Sequence, residues 1–420
     1  LRIRSALARY VLLFSVYAIL MAAYVWCTSS NDVPDAYKGT AVDPATFYTP
    51  EQLHDSERLN ALRNWIFFMS GPWEWLIYLA LLTSGIARKW KEGLERTKLL
   101  LAIRFPIYVF LVSLFTFVLY LPLRIFSYAL SKSYGITTQP ASGWMRDKLV
   151  EFGVSYITYL LVTAVLFWLL SRRGRWWLKL WLISIPFTLF TMYIQPVVID
   201  PLYNQFSRLT NPELERQILS LAADAGIHAD RVYEVAMSAK TNAMNAYVTG
   251  IGPSLRIVLW DTTLQKLNEP EILLIMAHEI GHYAMHHLEW SAVGAVASSL
   301  VMLRLGAWLY EWLLRRRGER WGIRSRSDLA ALPLLLLLLS VLSFVSLPIT
   351  NAVSRQAEAA ADRYGMRLIG NADAAIPMYQ GMAVASLSDV NPPLLVRWFR
   401  DTHPSDMERM ADALRFNEQR

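Results

Sequence analysis

The chain has a single cysteine, Cys27, and it falls inside an apolar run. An intramolecular disulfide is therefore excluded, and so is a metal site built on thiolates. Cysteine usage consequently says nothing about redox compartment. Acidic residues are the minority, 34 Asp and Glu against 41 Lys and Arg, leaving a net charge of +7. That excess does not read as a nucleic-acid footprint, because the basic residues sit in short loops between apolar runs, where membrane topology explains them. Internal repeats and low-complexity linkers are missing, apart from the leucine run Leu334–Leu339. Polar residues are scarce: 54% of the chain is hydrophobic, against about 45–50% for a soluble globular domain. What is abundant is aromatic, with 16 Trp and 20 Tyr, residues that collect at membrane–water interfaces.

Seven apolar stretches are long enough, or nearly so, to cross a hydrocarbon core of about 30 Å. They run over Tyr10–Cys27, Ile66–Ile86, Phe105–Leu123, Ser155–Leu170, Leu180–Val198, Trp290–Leu314 and Leu329–Ile349. Glu74 in the second and Arg304 in the sixth are costly in lipid. Each is expected to face an interior cavity or a partner, unless Glu74 lies at the interface beside Trp73 and Trp75. Two more polar segments remain, Asp200–His287 and Asn351–Arg420. In the first, Thr210-Asn211-Pro212-Glu213 reads as a capping box opening a helix that Gly226 stops. Val232–Ala236 and Arg256–Trp260 read as short strands. Asn268, Pro270 and Glu271 open the helix that carries the central motif.

That motif is His278-Glu279-Ile280-Gly281-His282. Spacing of i, i+4 puts both imidazoles on one helix face, about 6 Å apart at the backbone, close enough to share one ion. Zinc suits neutral imidazoles. Glu279, beside the first ligand, is placed to take a proton from a water held there, the arrangement of a metal-dependent peptide hydrolase. Two unrelated histidines on a surface helix would give the same pattern. A catalytic zinc needs a third protein ligand and an open fourth position. His286 continues the i+4 ladder, but three successive turns of a straight helix do not converge on one point. The position ten residues after His278 is Leu288, so the longer three-histidine motif fails. Glu358, in the alanine-rich helical stretch Ser354–Asp362, is the better candidate. Asp362, at i+4 from it, can accept a hydrogen bond from the free nitrogen of a histidine ligand and orient the ring. The competing reading makes Glu358 a solvated carboxylate paired with Arg355. His286 and His287 read as polar residues of the membrane interface.

The chain resembles the CaaX prenyl protease 1 family of membrane zinc endopeptidases. Ser354 through Asp362 meets that family's pattern Ser-Arg-x-x-Glu-x-x-Ala-Asp. Asn245-Ala246-Tyr247, Gly250 and Arg256 through Thr262 resemble its active-site strand region. Pro196 with Ile199 through Asn204, and His403-Pro404 with Glu408-Arg409, resemble further elements of it. The resemblance implies a mainly α polytopic protein. About seven transmembrane helices would surround a chamber, with a small α+β zinc-protease domain bearing one zinc ion on His278, His282 and Glu358. It implies that His403 and Arg409 line the substrate groove, where a donor can stabilise the oxyanion. Asn245 is expected on an edge strand that pairs with an extended peptide. The domains expected are 1–199 with five spans, 200–289 with the His-Glu-x-x-His helix, 290–350 with spans six and seven, and 351–420 with the third ligand.

Basic residues follow span two (Arg88, Lys89, Lys91, Arg96, Lys98), span four (Arg172, Arg173, Arg175) and span six (Arg315, Arg316, Arg317, Arg320, Arg324, Arg326). The positive-inside rule then faces the zinc domain away from the cytoplasm. The expected partners are the bilayer and a peptide or protein substrate, lipid-modified or not, with no nucleic acid. The rival reading is a polytopic receptor or transporter with a structural metal site, which normally closes on a fourth protein ligand.

Overall fold

The structure is a computed structural model that describes residues 2–28, 31–250 and 255–419. Its N-terminal half is a series of helices: α1 (Arg2–Thr28), α2 (Pro50–Ser84), α3 (Ile86–Arg96), α4 (Leu101–Ser133), α5 (Ala141–Ser171), α6 (Trp176–Ile194) and the short α7 (Asp200–Tyr203). β1 (Phe206–Arg208), α8 (Pro212–Asp224), β2 (Val232–Val235), β3 (Ala246–Thr249) and β4 (Arg256–Trp260) follow. Then come α9 (Asp261–Lys266), α10 (Glu269–Ala284), α11 (His287–Trp321), α12 (Leu332–Ile369), α13 (Ala375–Ser386), α14 (Leu394–Phe399) and α15 (Asp406–Glu418).

Among the described residues, seven helices are long and apolar enough to cross a membrane: α1, α2, α4, α5, α6, α11 and α12 with its leading turn. Their outer faces carry bare apolar side chains such as Leu13, Ile19, Ile157, Val301 and Val345. In water such a surface would be unstable; in lipid it costs nothing. The helix ends differ from the expected spans, and two borders show why. The αL conformation of Gly85 (φ +74) ends α2 two residues early and starts amphipathic α3. A π-helical turn over Gln195–Ile199 closes α6 before Val198.

The sheet has the order β1-β2-β4-β3, with β2 and β4 parallel and the other pairs antiparallel. β3 is an edge and sits against α10. Strand β2 stops at Val235, one residue short of the sequence expectation. The helix at 212 is capped by Asn211 rather than by a Thr210 box, because the Asn211 carboxamide oxygen accepts from Glu213 N and Leu214 N. The Asn268–Glu271 box does form and starts α10.

One hydrophobic core joins α8, the sheet, α10, α13 and α15, and takes in Tyr48 and Leu59 from the α2 end. A second core lies among the membrane helices. Glu74 does not face lipid. It borders a cavity of about 230 Å³ with Tyr78, Tyr120, Arg124, Glu151 and Tyr159. It accepts hydrogen bonds from the Tyr78 and Ser340 hydroxyls. Arg304 finds a different partner, with its guanidinium over the Trp177 ring at 5.7 Å.

Candidate metal centre

Three side chains from two helices meet at one point. His278 and His282 project one turn apart from α10, and Glu358 projects from the end of α12 that continues beyond the apolar run. The two helices pack side by side. Glycines permit this contact: a Cβ on Gly365 would lie 2.9 Å from the His278 backbone nitrogen, and one on Gly281 would lie 2.9 Å from the Tyr364 ring. Both glycines sit inside helices, where each is worth about 1 kcal/mol less than alanine.

The donor atoms form a nearly equilateral triangle. His278 Nε2 and His282 Nε2 are 3.1 Å apart, and Glu358 Oε2 is 3.2 Å from the first and 3.4 Å from the second. Two nitrogens and a carboxylate oxygen about 2.0–2.1 Å from a tetrahedral zinc ion would stand about 3.3–3.4 Å apart. Glu358 Oε2 is buried and, although three imidazole nitrogens stand 3.2–3.4 Å away, none makes a hydrogen bond to it. Burial alone would lower the His278 pKa, yet Asp362, Glu358 and Glu279 push it up to about 10. A site this rich in negative charge calls for a cation. The donor set, the spacing and the orphaned oxygen all fit zinc. Among the described residues this is the one His/Cys/Asp/Glu group with three such donors within 4.8 Å of one another. His403 stays outside it and approaches Glu358 alone, Nε2 to Oε2, at 3.2 Å. Three donors thus converge, and among the described residues no fourth completes the set.

Around the triangle the remaining residues take places the sequence only partly foretold. Glu279 is mostly buried, 3.9 Å from His278 Nε2, and burial pushes its carboxyl up while His278 and His282 pull it down. Asp362 Oδ1 lies 2.7 Å from His278 Nδ1. Arg409, expected to line the substrate groove, is bound to Asp362. It borders the cavity, but its Nε and Nη2 donate to Asp362 Oδ2 and Oδ1 at 2.9 and 2.6 Å. Its guanidinium also stacks on the Tyr379 ring at 4.4 Å. Tyr379 itself donates to Asp362 at 3.0 Å. His287, read from sequence as a polar residue of the membrane interface, stands behind the second ligand, its Nδ1 2.9 Å from His282 Nδ1. His286 makes this geometry: its αL backbone (φ +56) turns the chain between α10 and α11 and leaves its own ring exposed, 3.4 Å from Glu289. A histidine directly after a helix-breaking position was the only available signal. Arg355 does not pair with Glu358; it donates to the Arg397 and Asp401 carbonyls.

A cavity of about 60 Å³ opens over the site, bordered by Asn245, Ala246, His278, Glu279 and His403. Asn245 directly precedes edge strand β3, and its side-chain oxygen accepts from Ala246 N at 2.8 Å. His403 is half exposed there and hydrogen-bonded to Thr402 through Nδ1 at 2.9 Å.

Comparison with known proteins agrees with this arrangement. The sequence model of peptidase family M48 matches residues 208–416. A model described as the CAAX prenyl protease N-terminal region, five membrane helices, matches residues 24–205. A Bacillus subtilis protein described as the metalloprotease YhfN is 44% identical over 411 residues, covering 98% of this chain and 96% of the relative. A CAAX prenyl protease 1 homolog of Arabidopsis thaliana is 27% identical over 296 residues, 69% of this chain and 68% of its own. The crystal structure of S. mikatae Ste24p superposes with a TM-score of 0.76 at 21% identity, covering 97% of both chains.

Proposed function

Because this chain belongs to peptidase family M48 and is a multi-pass membrane metalloprotease, we propose that it is a zinc endopeptidase, with one zinc ion on His278, His282 and Glu358, that cuts membrane-associated substrates. The observation that carries the reading is the open triangle of donors with Glu279 at its side. A structural site would need a fourth protein ligand, and among the described residues no fourth donor joins the group.

A zinc ion held by His278, His282 and Glu358 would supply a Lewis acid for peptide hydrolysis. Glu279 would take a proton from water in the cleft and pass it to the leaving amide nitrogen. Burial pushes its carboxyl up. Edge strand β3 holds the substrate backbone by strand addition, with Asn245 at its start, in register with the cleft. His403, at the mouth, donates to the carbonyl oxygen as charge develops on it. Arg409 works at one remove: it fixes Asp362, which fixes the His278 tautomer and ring.

The CaaX substrate class comes from relatives whose names carry it, and we assign this chain either C-terminal peptides bearing a prenyl group or other membrane-associated chains. We read residues 1–199 as the membrane unit, and 200–289 with 351–420 as a protease unit split by spans six and seven (290–350). The charge bias of the loops supports a zinc domain facing away from the cytoplasm. The test is to purify the protein and Glu279→Gln side by side, measure zinc, and assay a farnesylated peptide and an unfolded protein. Zinc near one per chain in both, with cleavage lost in the variant, is the expected result. Cleavage that survives in Glu279→Gln overturns the assignment.

A further inference from the structure

A second site lies away from the metal centre, where α3 meets the start of α4 and the loop leading into α12. The residues there enclose a cavity of about 330 Å³ bordered by Lys91, Glu95, Leu101, Arg104, Arg324 and Asp328, among others. Asp328 is fully engaged: it takes Lys91 Nζ at 2.8 Å, Arg324 N at 2.9 Å and Ala330 N at 3.0 Å. Lys91 is further shared with Glu95 at 3.7 Å, and Arg324 with Glu92 at 3.7 Å. Arg104 has nothing comparable. Its Nε is covered from solvent and meets no hydrogen-bond acceptor, and its guanidinium has no ion pair among the described residues. A guanidinium that borders a cavity without an ion pair can take an anion that enters through the cavity, and the covered Nε makes its unpaired state costly.

The surroundings say which anion. Arg104 stands in the first turn of a membrane-crossing helix. Leu99, Leu100, Leu101 and Ile103 beside it are bare, Leu100 at 73% exposure. Basic loops converge at this end. The Arg326 guanidinium donates to the Arg172 carbonyl, which brings the loop after α5 against the loop before α12. Amphipathic α3 adds Arg88 and Lys89, and the turn after it adds Lys98. Cations facing a pocket, with apolar side chains beside it at the bilayer surface, match a phosphodiester headgroup with its acyl chains running down the leucines.

We propose that this pocket binds an anionic phospholipid, with Arg104 holding the headgroup phosphate and Leu99–Ile103 lying along the acyl chains. The chemistry shared with a free phosphate ester is the phosphate; the exposed leucines select the lipid. The experiment is native mass spectrometry of the full chain, purified in neutral detergent and offered equal phosphatidylglycerol and phosphatidylcholine, alongside Arg104→Gln, Arg104→Lys and Arg316→Gln. A parallel arm adds soluble glycerol phosphate as competitor. Wild type is expected to retain phosphatidylglycerol over phosphatidylcholine. Arg104→Gln should lose that retention about fivefold, the factor for one cation at a headgroup. Arg104→Lys should fall between the two, and Arg316→Gln, an exposed cation elsewhere on the basic end, should match wild type. Monodisperse elution shows that a variant has folded, and if Arg104→Gln fails to fold, Arg104→Lys carries the comparison. Equal retention of the two lipids overturns the proposal, as does full retention in the folded Arg104 variants. Displacement by millimolar glycerol phosphate would make the ligand a free phosphate ester and overturn the lipid assignment.

Discussion

Replacing Arg409 by leucine separates two roles that one arginine near a metal centre can have. In the structure its guanidinium grips Asp362 through two bonds of 2.9 and 2.6 Å, with both side chains nearly buried. At that range, with an effective dielectric of about 20, the attraction is about 6 kcal/mol before desolvation is charged against it. Removing one partner of such a pair typically costs about 3–5 kcal/mol, because the other charge stays buried. Tyr379 still donates to Asp362, and His278 still faces it, so the lower end, about 3 kcal/mol, is the expected loss. The consequence for chemistry is indirect. A loosened Asp362 no longer fixes the His278 ring, and removing such outer partners costs roughly 10–100-fold in metal affinity. The assay is zinc affinity by chelator competition, with thermal unfolding of the zinc-loaded protein, on Arg409→Leu, Asp362→Asn and the double variant. The double variant should lose less than the sum of the singles, since neither charge is then left alone. Unchanged zinc affinity with a fall in kcat confined to Arg409→Leu would refute this chain of reasoning and place the guanidinium on the substrate.

His287→Ala leaves His282 Nδ1 without its partner and should weaken zinc binding about tenfold, read by the same competition; unaltered affinity would remove His287 from the site. Gly365→Ala drives a methyl into the His278 backbone, so α10 and α12 must part; about 1–3 kcal/mol of stability and most of the bound zinc should go, whereas full zinc with wild-type melting would contradict the packing. Asp389, whose Oδ1 is buried without a donor, is pushed up to about 7 by burial and by Asp401. The folded state therefore holds a proton that the unfolded chain releases near pH 4, so stability falls as pH rises from about 4 to 7, by up to about 1.4 kcal/mol per unit. Asp389→Asn should flatten the melting temperature between pH 5 and 8, and an undiminished slope would assign it to other groups.

Seven apolar stretches were legible because length and hydrophobicity alone decide whether a segment can cross a bilayer. The two histidines were legible for a related reason: i, i+4 spacing on one helix fixes their shared face whatever surrounds it. Helix borders were less so, since Gly85 and the turn at Gln195 act through backbone conformations that an apolar count does not register. Glu358 could be picked out only as a candidate, because the sequence leaves 75 residues and two spans between it and His282. Its arrival at 3.4 Å from His282 depends on α12 running unbroken out of the membrane and on two glycines letting it touch α10. Asp362 was legible as a partner for a histidine ligand's outer nitrogen, but which histidine it meets, and what meets His282, were decided by tertiary structure. Arg409 could as well have met a substrate as Asp362, and His287 reaches His282 only because the chain turns at His286. Local periodicity and transfer energy determine the spans, the two strands β2 and β4 and the paired histidines, whereas β1 carries no local signal. Which charge neutralises which was settled by long-range packing, because a buried charge takes whatever counter-charge the fold brings within about 3 Å, and no local pattern encodes that distance.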